Sequence, residues 1–160
     1  MKEKRGEHPF GAVGQVMLVA LFLVVWVGDT FFLHWSTFLA DWVPNSIRME
    51  LFGLALLITL ILVWTGRAVI RGKERPNYLV GTGPFRYVRH PLYLAVLIAY
   101  VGTAISSLSL LSFALLIPIF AFYDYIASYE EKLLEARFGG AYRKYLRRTG
   151  KWLPRLGRRG

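Results

Sequence analysis

Gly-Pro-Phe-Arg-Tyr-Val-Arg-His-Pro-Leu-Tyr, residues 83–93, joins a basic loop to a strongly apolar segment. It places two arginines, a histidine and three aromatic rings at the start of that segment. Pro91 suits the first turn of a helix, because the N–H that proline lacks would have no partner there anyway. We therefore expect a helix to begin at about His90-Pro91, with its positive dipole end at the edge of a membrane.

Four apolar blocks decide the fold class: residues 10–33, 51–70, 92–105 and 108–127. A helix needs about 20 largely apolar residues to cross the hydrocarbon, within a range of about 17–25. Blocks one, two and four meet this length, and block one is too long for the apolar region of a signal peptide, so we expect it to remain as the first span. Block three is short and meets block four at a polar break, residues 105–108. The sequence predicts an all-α polytopic membrane protein with about four transmembrane helices, the last two forming a tight hairpin.

The lysines and arginines predict the orientation of these spans. Three lie before block one, six between residues 67 and 89 and ten after Ala127, whereas the loop between blocks one and two has only Arg48. Cytoplasmic segments collect basic residues. We therefore expect both termini, the loop before block three and a C-terminal helical segment to lie in the cytoplasm.

Length and composition limit the class of protein. A chain of 160 residues has room for one domain, which we divide into N-terminal spans (1–76) and a C-terminal half (77–160). There is no cysteine, and the three histidines have no metal-ligand spacing, so we expect neither disulfides nor a metal site. The net charge of +10 lies next to the spans, where contact with anionic lipids explains it, and we expect no nucleic-acid partner.

Two polar clusters are predicted to meet at the cytoplasmic edge. Arg89 and His90, at the start of the third helix, can hold an anionic group such as a carboxylate, and Tyr93 lies one turn further on the same side. Glu130-Glu131 follows block four and returns to the same edge, where adjacent carboxylates are costly unless something cationic meets them. The alternative is that Arg89 binds lipid phosphates, His90 caps the helix and the glutamates begin a solvated tail helix.

Two further acids and a histidine lie near the ends of the predicted spans. Asp124 lies in the last turns of block four, where an ionisable group is a functional candidate. Asp29 and His34 lie at the opposite end of the spans, and we expect them to mark that interface.

The motifs Gly-Pro-Phe and Arg-His-Pro-Leu-Tyr, followed by Glu-Glu-x₂-Leu-x₃-Phe-Gly-x₂-Tyr-x₂-Tyr at residues 130–145, resemble the isoprenylcysteine carboxyl methyltransferase family. That family is related to the phospholipid N-methyltransferases, and the resemblance covers roughly residues 77–154. It implies an integral membrane enzyme that uses S-adenosylmethionine on a lipophilic small-molecule acceptor among membrane lipids. With this resemblance, we expect residues 77–160 to be the cofactor-binding catalytic half, with Arg89 and Glu130 as its catalytic residues. The implied cofactor-binding residues are Asn77, Tyr78, Leu79, Val80, Phe85, His90, Pro91, Leu92, Tyr93, Glu130 and Glu131.

One position departs from the family pattern. The prenylcysteine enzymes carry a substrate-binding arginine one turn before the glutamate, and this chain has Ile126 there. A substrate carboxylate would need another partner, such as Arg86 or Arg89. The acceptor is therefore open between a prenylcysteine-like carboxylate, a lipid amine and another small lipophilic molecule.

Two other classes of protein remain as alternatives. Membrane reductases of the sterol type share an arginine-histidine motif and an acidic C-terminal segment, and they would bind NADPH. They typically have asparagine where Pro91 stands, which favours the methyltransferase. A non-enzymatic membrane scaffold would bind neither cofactor. The oligomeric state does not follow from the sequence.

Overall fold

The computed structural model describes residues 11–71 and 79–155, most of which are α-helical. The helices are α1 (Gly11–Val27), α2 (Asn45–Arg71), α3 (Pro91–Ser107), α4 (Leu110–Phe138) and α5 (Gly140–Arg148). A π-helical turn at Gly28–Leu33 extends α1, and single 3₁₀ turns cover Phe38–Asp41 and Gly83–Arg86. Asn77 and Tyr78, two of the predicted cofactor residues, lie outside the described residues.

Within the described ranges, three segments are long and apolar enough to cross a membrane: Gly11–Leu33, Asn45–Arg71 and Leu110–Phe138. The shorter apolar helix α3 has 17 residues and a length of about 25 Å at ~1.5 Å per residue. Many large apolar side chains of α1 and α2 point outward, as lipid-facing surfaces require. The prediction of an all-α polytopic membrane protein is confirmed.

Helices α2 and α3 pack closely along each other. At Gly102 a side chain would collide with Ala55, since an added Cβ would lie 2.5 Å from the Ala55 Cβ. Small residues of this kind let membrane helices approach each other closely. The Thr59 hydroxyl also donates a hydrogen bond of 3.1 Å to the carbonyl oxygen of Ala95. These contacts fix α3, and with it the His90-Pro91 start, against α2.

The buried core joins α1, α3 and α4. It is formed by Phe22, Tyr100, Ala104, Ile119 and Tyr123. The rings of Phe22 and Tyr100 meet edge to face with their centroids 4.8 Å apart, a favoured aromatic arrangement. The core therefore holds α3 and α4 side by side, so that the start of α3 and the end of α4 lie at the same end of the bundle.

The turn between α3 and α4 is closed by polar groups. Leu108 adopts a left-handed conformation with φ 51°, and the Ser109 side chain caps α4 by accepting a hydrogen bond from Ser112 N. The Ser109 hydroxyl donates to the buried carboxylate of Asp29 at 2.6 Å, and Ser36 donates to the same carboxylate through its backbone N–H and its hydroxyl. Asp29 thus ties α1 to the hairpin turn at one end of the bundle.

Helix boundaries agree with the sequence at α3 and differ at α4. Helix α3 begins at Pro91 after His90, as predicted. Helix α4 continues well beyond the fourth apolar block to Phe138, so Glu130 and Glu131 lie inside it rather than at the start of a separate tail helix. Residues 128–138 contain neither proline nor glycine, and Gly139, with φ 52°, ends the helix.

Candidate active site

The start of α3 and the end of α4 bring five predicted site residues together: Arg89, His90, Tyr93, Glu130 and Glu131. His90 directly precedes α3, and Tyr93 lies in its first turn, so their rings stack with centroids 5.7 Å apart and planes 7° apart. Both rings face the two consecutive glutamates of α4. The two sequence clusters therefore form one polar site at one end of the bundle.

Glu131 is the inner carboxylate of this site. Its Oε1 accepts hydrogen bonds from Arg89 Nε at 2.9 Å and from His90 Nε2 at 3.0 Å. Arg89 Nη2 lies 3.4 Å from the other carboxylate oxygen. The side chains of Arg89 and Glu131 are only 11% and 17% exposed. This ion pair therefore connects the segment before α3 to α4 within a largely dry environment.

Glu130 is the outer carboxylate. Its side chain is 26% exposed, more than that of Glu131. It accepts a short hydrogen bond from the Tyr93 hydroxyl, and His90 Nδ1 lies 3.8 Å from its Oε2. Glu130 is thus the more accessible of the two acids, and Tyr93 and His90 hold its orientation.

Arg89 also anchors the chain that follows α5. Its backbone N–H donates to the Gly150 carbonyl at 2.9 Å, and its Nη1 donates to the Thr149 carbonyl at 3.0 Å. Val88 and Gly150 form an isolated parallel β-bridge at the same place. In this arrangement the guanidinium of Arg89 is engaged by protein groups, and residues 149–155 lie against the site.

A second polar cluster adjoins the first, and of its residues the sequence had indicated only Asp124. Lys151 Nζ forms an ion pair with Asp124 Oδ1 and donates to the Ser128 hydroxyl at 2.7 Å. Trp152 Nε1 donates to the same Asp124 oxygen at 2.8 Å, and its ring lies 6.0 Å from that of His90. Asp124, Ser128 and Glu131 follow one another along one face of α4, and this spacing was a usable signal. The partners of the first two, Lys151 and Trp152, lie more than 20 positions further along the chain. No local sequence pattern indicated that these two residues would contact α4.

The remaining predicted cofactor residues occupy different places. The carbonyl of half-buried Phe85 accepts a 2.6 Å hydrogen bond from the Tyr145 hydroxyl. Pro91 is buried in the first turn of α3, and the Leu92 side chain lies against Gly66 of α2, away from the glutamates. Leu79 and Val80 are half-buried in the segment before the 3₁₀ turn.

Ile126, where the resemblance would place a substrate-binding arginine, is only 2% exposed. An apolar side chain at a closed position cannot bind a substrate carboxylate. The two cations that the structure places beside the glutamates, Arg89 and Lys151, are each paired with a carboxylate.

Two tyrosines of α5 lie beneath the site. Burial raises the pKa of Tyr142 well above its ordinary value, and the nearby Glu131 carboxylate adds to this effect while Arg89 opposes it. Burial likewise raises the pKa of Tyr145 to about 12. Both phenols therefore stay neutral at physiological pH, and Tyr145 remains a hydrogen-bond donor to the Phe85 carbonyl.

The site as a whole carries an excess of negative charge. Three carboxylates, Asp124, Glu130 and Glu131, meet two permanent cations, Arg89 and Lys151, which leaves one negative charge apart from His90. No group of three histidine or acidic side chains within residues 11–71 and 79–155 is arranged to hold a metal ion. The site therefore combines carboxylate acceptors, the stacked rings of His90 and Tyr93 and the N-terminus of α3.

Comparison with known proteins places this chain in a family. The chain is 32% identical over 117 residues to the cobalt-zinc-cadmium resistance protein CzcN of Cupriavidus metallidurans, an alignment that covers 72% of this chain and 52% of the relative. The chain thus spans about half the length of that curated protein, and no solved structure matches it. Residues 51–141, more than half of the chain, match the phospholipid methyltransferase family. The chain belongs to the phospholipid methyltransferase family, whose members are membrane methyltransferases.

Proposed function

We propose that the protein transfers a methyl group from S-adenosylmethionine to a lipophilic acceptor within the membrane. Family membership supports methyl transfer, and the single structural observation that carries the site assignment is the contrast between the two glutamates. Glu131 is closed in by Arg89 and His90, whereas Glu130 is more exposed and is oriented by Tyr93. An oriented, accessible carboxylate beside a helix N-terminus is suited to a ligand with both cationic and anionic groups.

The charge of the site fits this cofactor. S-adenosylmethionine has a sulfonium, an ammonium and a carboxylate, hence one net positive charge, which complements the excess negative charge of the site. Glu130 would accept hydrogen bonds from the ammonium group or the ribose hydroxyls, and the N-terminus of α3 would hold the carboxylate. Tyr93 and Phe85 supply aromatic surface for the adenine. When bound, the cofactor supplies an electrophilic methyl group.

The protein's own residues would act mainly by positioning. The Arg89–Glu131 ion pair and the Asp124–Lys151 pair fix the start of α3, α4 and residues 149–155 relative to one another. Trp152 lies over this arrangement, between the rings of His90 and Phe120. Holding two reactants in alignment can contribute about 7–11 kcal/mol to lowering a barrier. In this proposal Arg89 positions other groups rather than contacting the methyl acceptor.

We propose a lipid amine as the acceptor in preference to a prenylcysteine-like carboxylate. The support is the buried, apolar Ile126 together with the pairing of Arg89 and Lys151 to carboxylates. The methyl acceptor would then be the neutral form of the amine, whose nitrogen has the lone pair that attacks the methyl group. The lipophilic acceptor would enter from the surrounding membrane lipids.

We also propose that this end of the bundle faces the cytoplasm, with both termini. The support is the distribution of charge, since nineteen of the twenty lysines and arginines lie in the termini or in residues 67–89. S-adenosylmethionine is made in the cytoplasm, so this orientation would give the cofactor direct access.

A labelled-methyl transfer assay tests the proposal. Purified protein is incubated with S-adenosylmethionine carrying a labelled methyl group and, separately, with an amine-bearing phospholipid and a prenylcysteine analogue. We expect transfer to the amine lipid, reduced at least tenfold by Glu130→Gln and unchanged by Glu135→Gln. Glu135 is the matched control, because it lies on α4 one turn beyond Glu131, in an exposed contact with Arg143. Transfer to the prenylcysteine analogue alone would contradict the acceptor, and no transfer to any lipid would contradict methyl transfer.

A further inference from the structure

A cavity lies at the end of the bundle opposite Glu130. It has a volume of about 670 Å³, and its wall includes Trp26, Thr30, Phe38, Asp41, Arg48 and Ser106. Ser106 is near the C-terminal end of α3, so this cavity lies about 24 Å along the helix from His90 at ~1.5 Å per residue. It is therefore separate from the candidate active site. Its size falls in the range of small-molecule sites, about 300–1,000 Å³.

Arg48 is the cation of this cavity. It is half-buried, and its Nη1 donates a 3.0 Å hydrogen bond to the Ser106 carbonyl. Its Nε is buried and has no hydrogen-bond partner within residues 11–71 and 79–155, and no carboxylate of those ranges lies within ion-pair distance of its guanidinium. A buried N–H without a hydrogen-bond partner costs free energy, and an anionic ligand would supply the missing acceptor.

The surroundings of Arg48 correspond to the lipid headgroup level. Trp35 and Trp42, in the connection between α1 and α2, are 72% and 84% exposed. Tryptophan is enriched where hydrocarbon meets the headgroups. The apolar part of the cavity wall, which includes Trp26 and Phe38, would face the glycerol backbone and the upper acyl chains. Asp41 also lines the cavity, but its side chain is exposed and screened by water.

We propose that this cavity binds the phosphate-bearing headgroup of a phospholipid, with Arg48 as the phosphate contact. Arginine is suited to phosphate because its planar guanidinium presents several donors to the phosphate oxygens. The proposal does not depend on methyl transfer, since the lipid bound here is at the other end of the bundle from Glu130.

Native mass spectrometry with phosphatidylglycerol tests the proposal, and this lipid has no amine that could serve as a methyl acceptor. The detergent-purified protein is compared with Arg48→Gln, Arg48→Lys and the control Arg67→Gln. Arg67 is an exposed arginine near the other end of the same helix. We expect Arg48→Gln to weaken binding of one lipid about tenfold or more, Arg48→Lys to retain part of it, and Arg67→Gln to leave it unchanged. Equal binding by wild type and Arg48→Gln, or equal loss in both glutamine variants, would overturn the proposal.

Two further arms identify the source of the phosphate and protect the test against misfolding. Diacylglycerol and inorganic phosphate should each bind far more weakly than the phospholipid; equal binding of either would overturn a phospholipid headgroup as the ligand. Asp41→Arg adds a second cation at an exposed position, where folding should be retained. It should strengthen phosphatidylglycerol binding several-fold, and unchanged or weakened binding would count against the proposal even if Arg48→Gln does not fold.

Discussion

Replacing Glu131 with glutamine should destabilise the protein much more than the same change at Glu135. Glu131 accepts hydrogen bonds from both Arg89 and His90, and both members of the Arg89–Glu131 ion pair are less than one-fifth exposed. Removing one partner of a buried ion pair typically costs about 3–5 kcal/mol, because the other charge stays buried. Glutamine keeps one oxygen acceptor and nearly the same shape, so we expect the free energy of unfolding to fall by the lower end of this range, about 3 kcal/mol.

Thermal unfolding in detergent, followed by circular dichroism, measures this effect. A change of 1 kcal/mol shifts the Tm of a domain of this size by roughly 2–4 °C, so Glu131→Gln should lower the Tm by about 6–12 °C. Limited proteolysis should also cut near residues 149–155 earlier, because Arg89 binds the carbonyls of Thr149 and Gly150. Glu135 makes only an exposed contact with Arg143, and such pairs contribute about 0–1 kcal/mol. Equal Tm shifts in the two variants would refute the structural role given to Glu131.

Three further predictions concern the elements around the site. Asp124→Asn should weaken the contacts of Asp124 with Lys151 and Trp152 and so increase the solvent exposure of Trp152. This exposure should appear as a red shift of tryptophan fluorescence that is absent when Asp124→Asn is made in a Trp152→Phe background; equal shifts in the two backgrounds would count against these contacts. Tyr145→Phe removes the hydrogen bond to the Phe85 carbonyl and should cost about 1 kcal/mol near pH 8. Because the folded-state pKa of Tyr145 is raised to about 12, the contribution of this phenol to stability is complete below pH 10 and is lost as the pH rises from 10 through 12. The phenylalanine variant should therefore lose less stability than wild type between pH 10 and 12, and parallel plots of stability against pH for the two proteins would contradict the pKa shift. Finally, the chain has no cysteine, so Lys144→Cys and Ser46→Cys each introduce a single labelling site. In sealed cells, a membrane-impermeant thiol reagent should label the Ser46→Cys variant and leave the Lys144→Cys variant unlabelled, and the reverse pattern would contradict the proposed orientation.

Much of the fold follows from local sequence signals. The apolar blocks predicted the helices because length and hydropathy are sufficient to identify membrane spans. Pro91 and the residues before it predicted where α3 begins, and the Ser106-Ser107 break predicted the hairpin turn. These are properties of short segments, which do not depend on the packing of distant parts of the chain. The continuation of α4 beyond its apolar block was not predicted, although residues 128–138 contain neither proline nor glycine and Gly139 follows them.

The candidate site was only partly predictable. The meeting of His90 with Glu130 and Glu131 follows from the hairpin, since both segments must return to the same end of the bundle. The contacts of Lys151 and Trp152 with Asp124 depend on how the chain folds back after α5, and no local pattern specifies that. The buried bonds of Asp29 with Ser36 and Ser109 are similarly long-range. The distinction between the inner Glu131 and the outer Glu130 rests on their different exposures and hydrogen-bond partners, which two adjacent glutamates in a sequence do not reveal.

Cofactor binding tests the central proposal most directly. Isothermal titration calorimetry of the detergent-purified protein with S-adenosylhomocysteine would compare wild type, Glu130→Gln and the control Glu135→Gln, with NADPH titrated separately. Loss of a charge-assisted hydrogen bond costs about 1.5–3 kcal/mol, or roughly ten- to a hundredfold in affinity. We predict binding to wild type and to Glu135→Gln, a loss of that size in Glu130→Gln, and no binding of NADPH. Binding of NADPH in place of S-adenosylhomocysteine, or equal S-adenosylhomocysteine affinity in wild type and Glu130→Gln, would contradict the account.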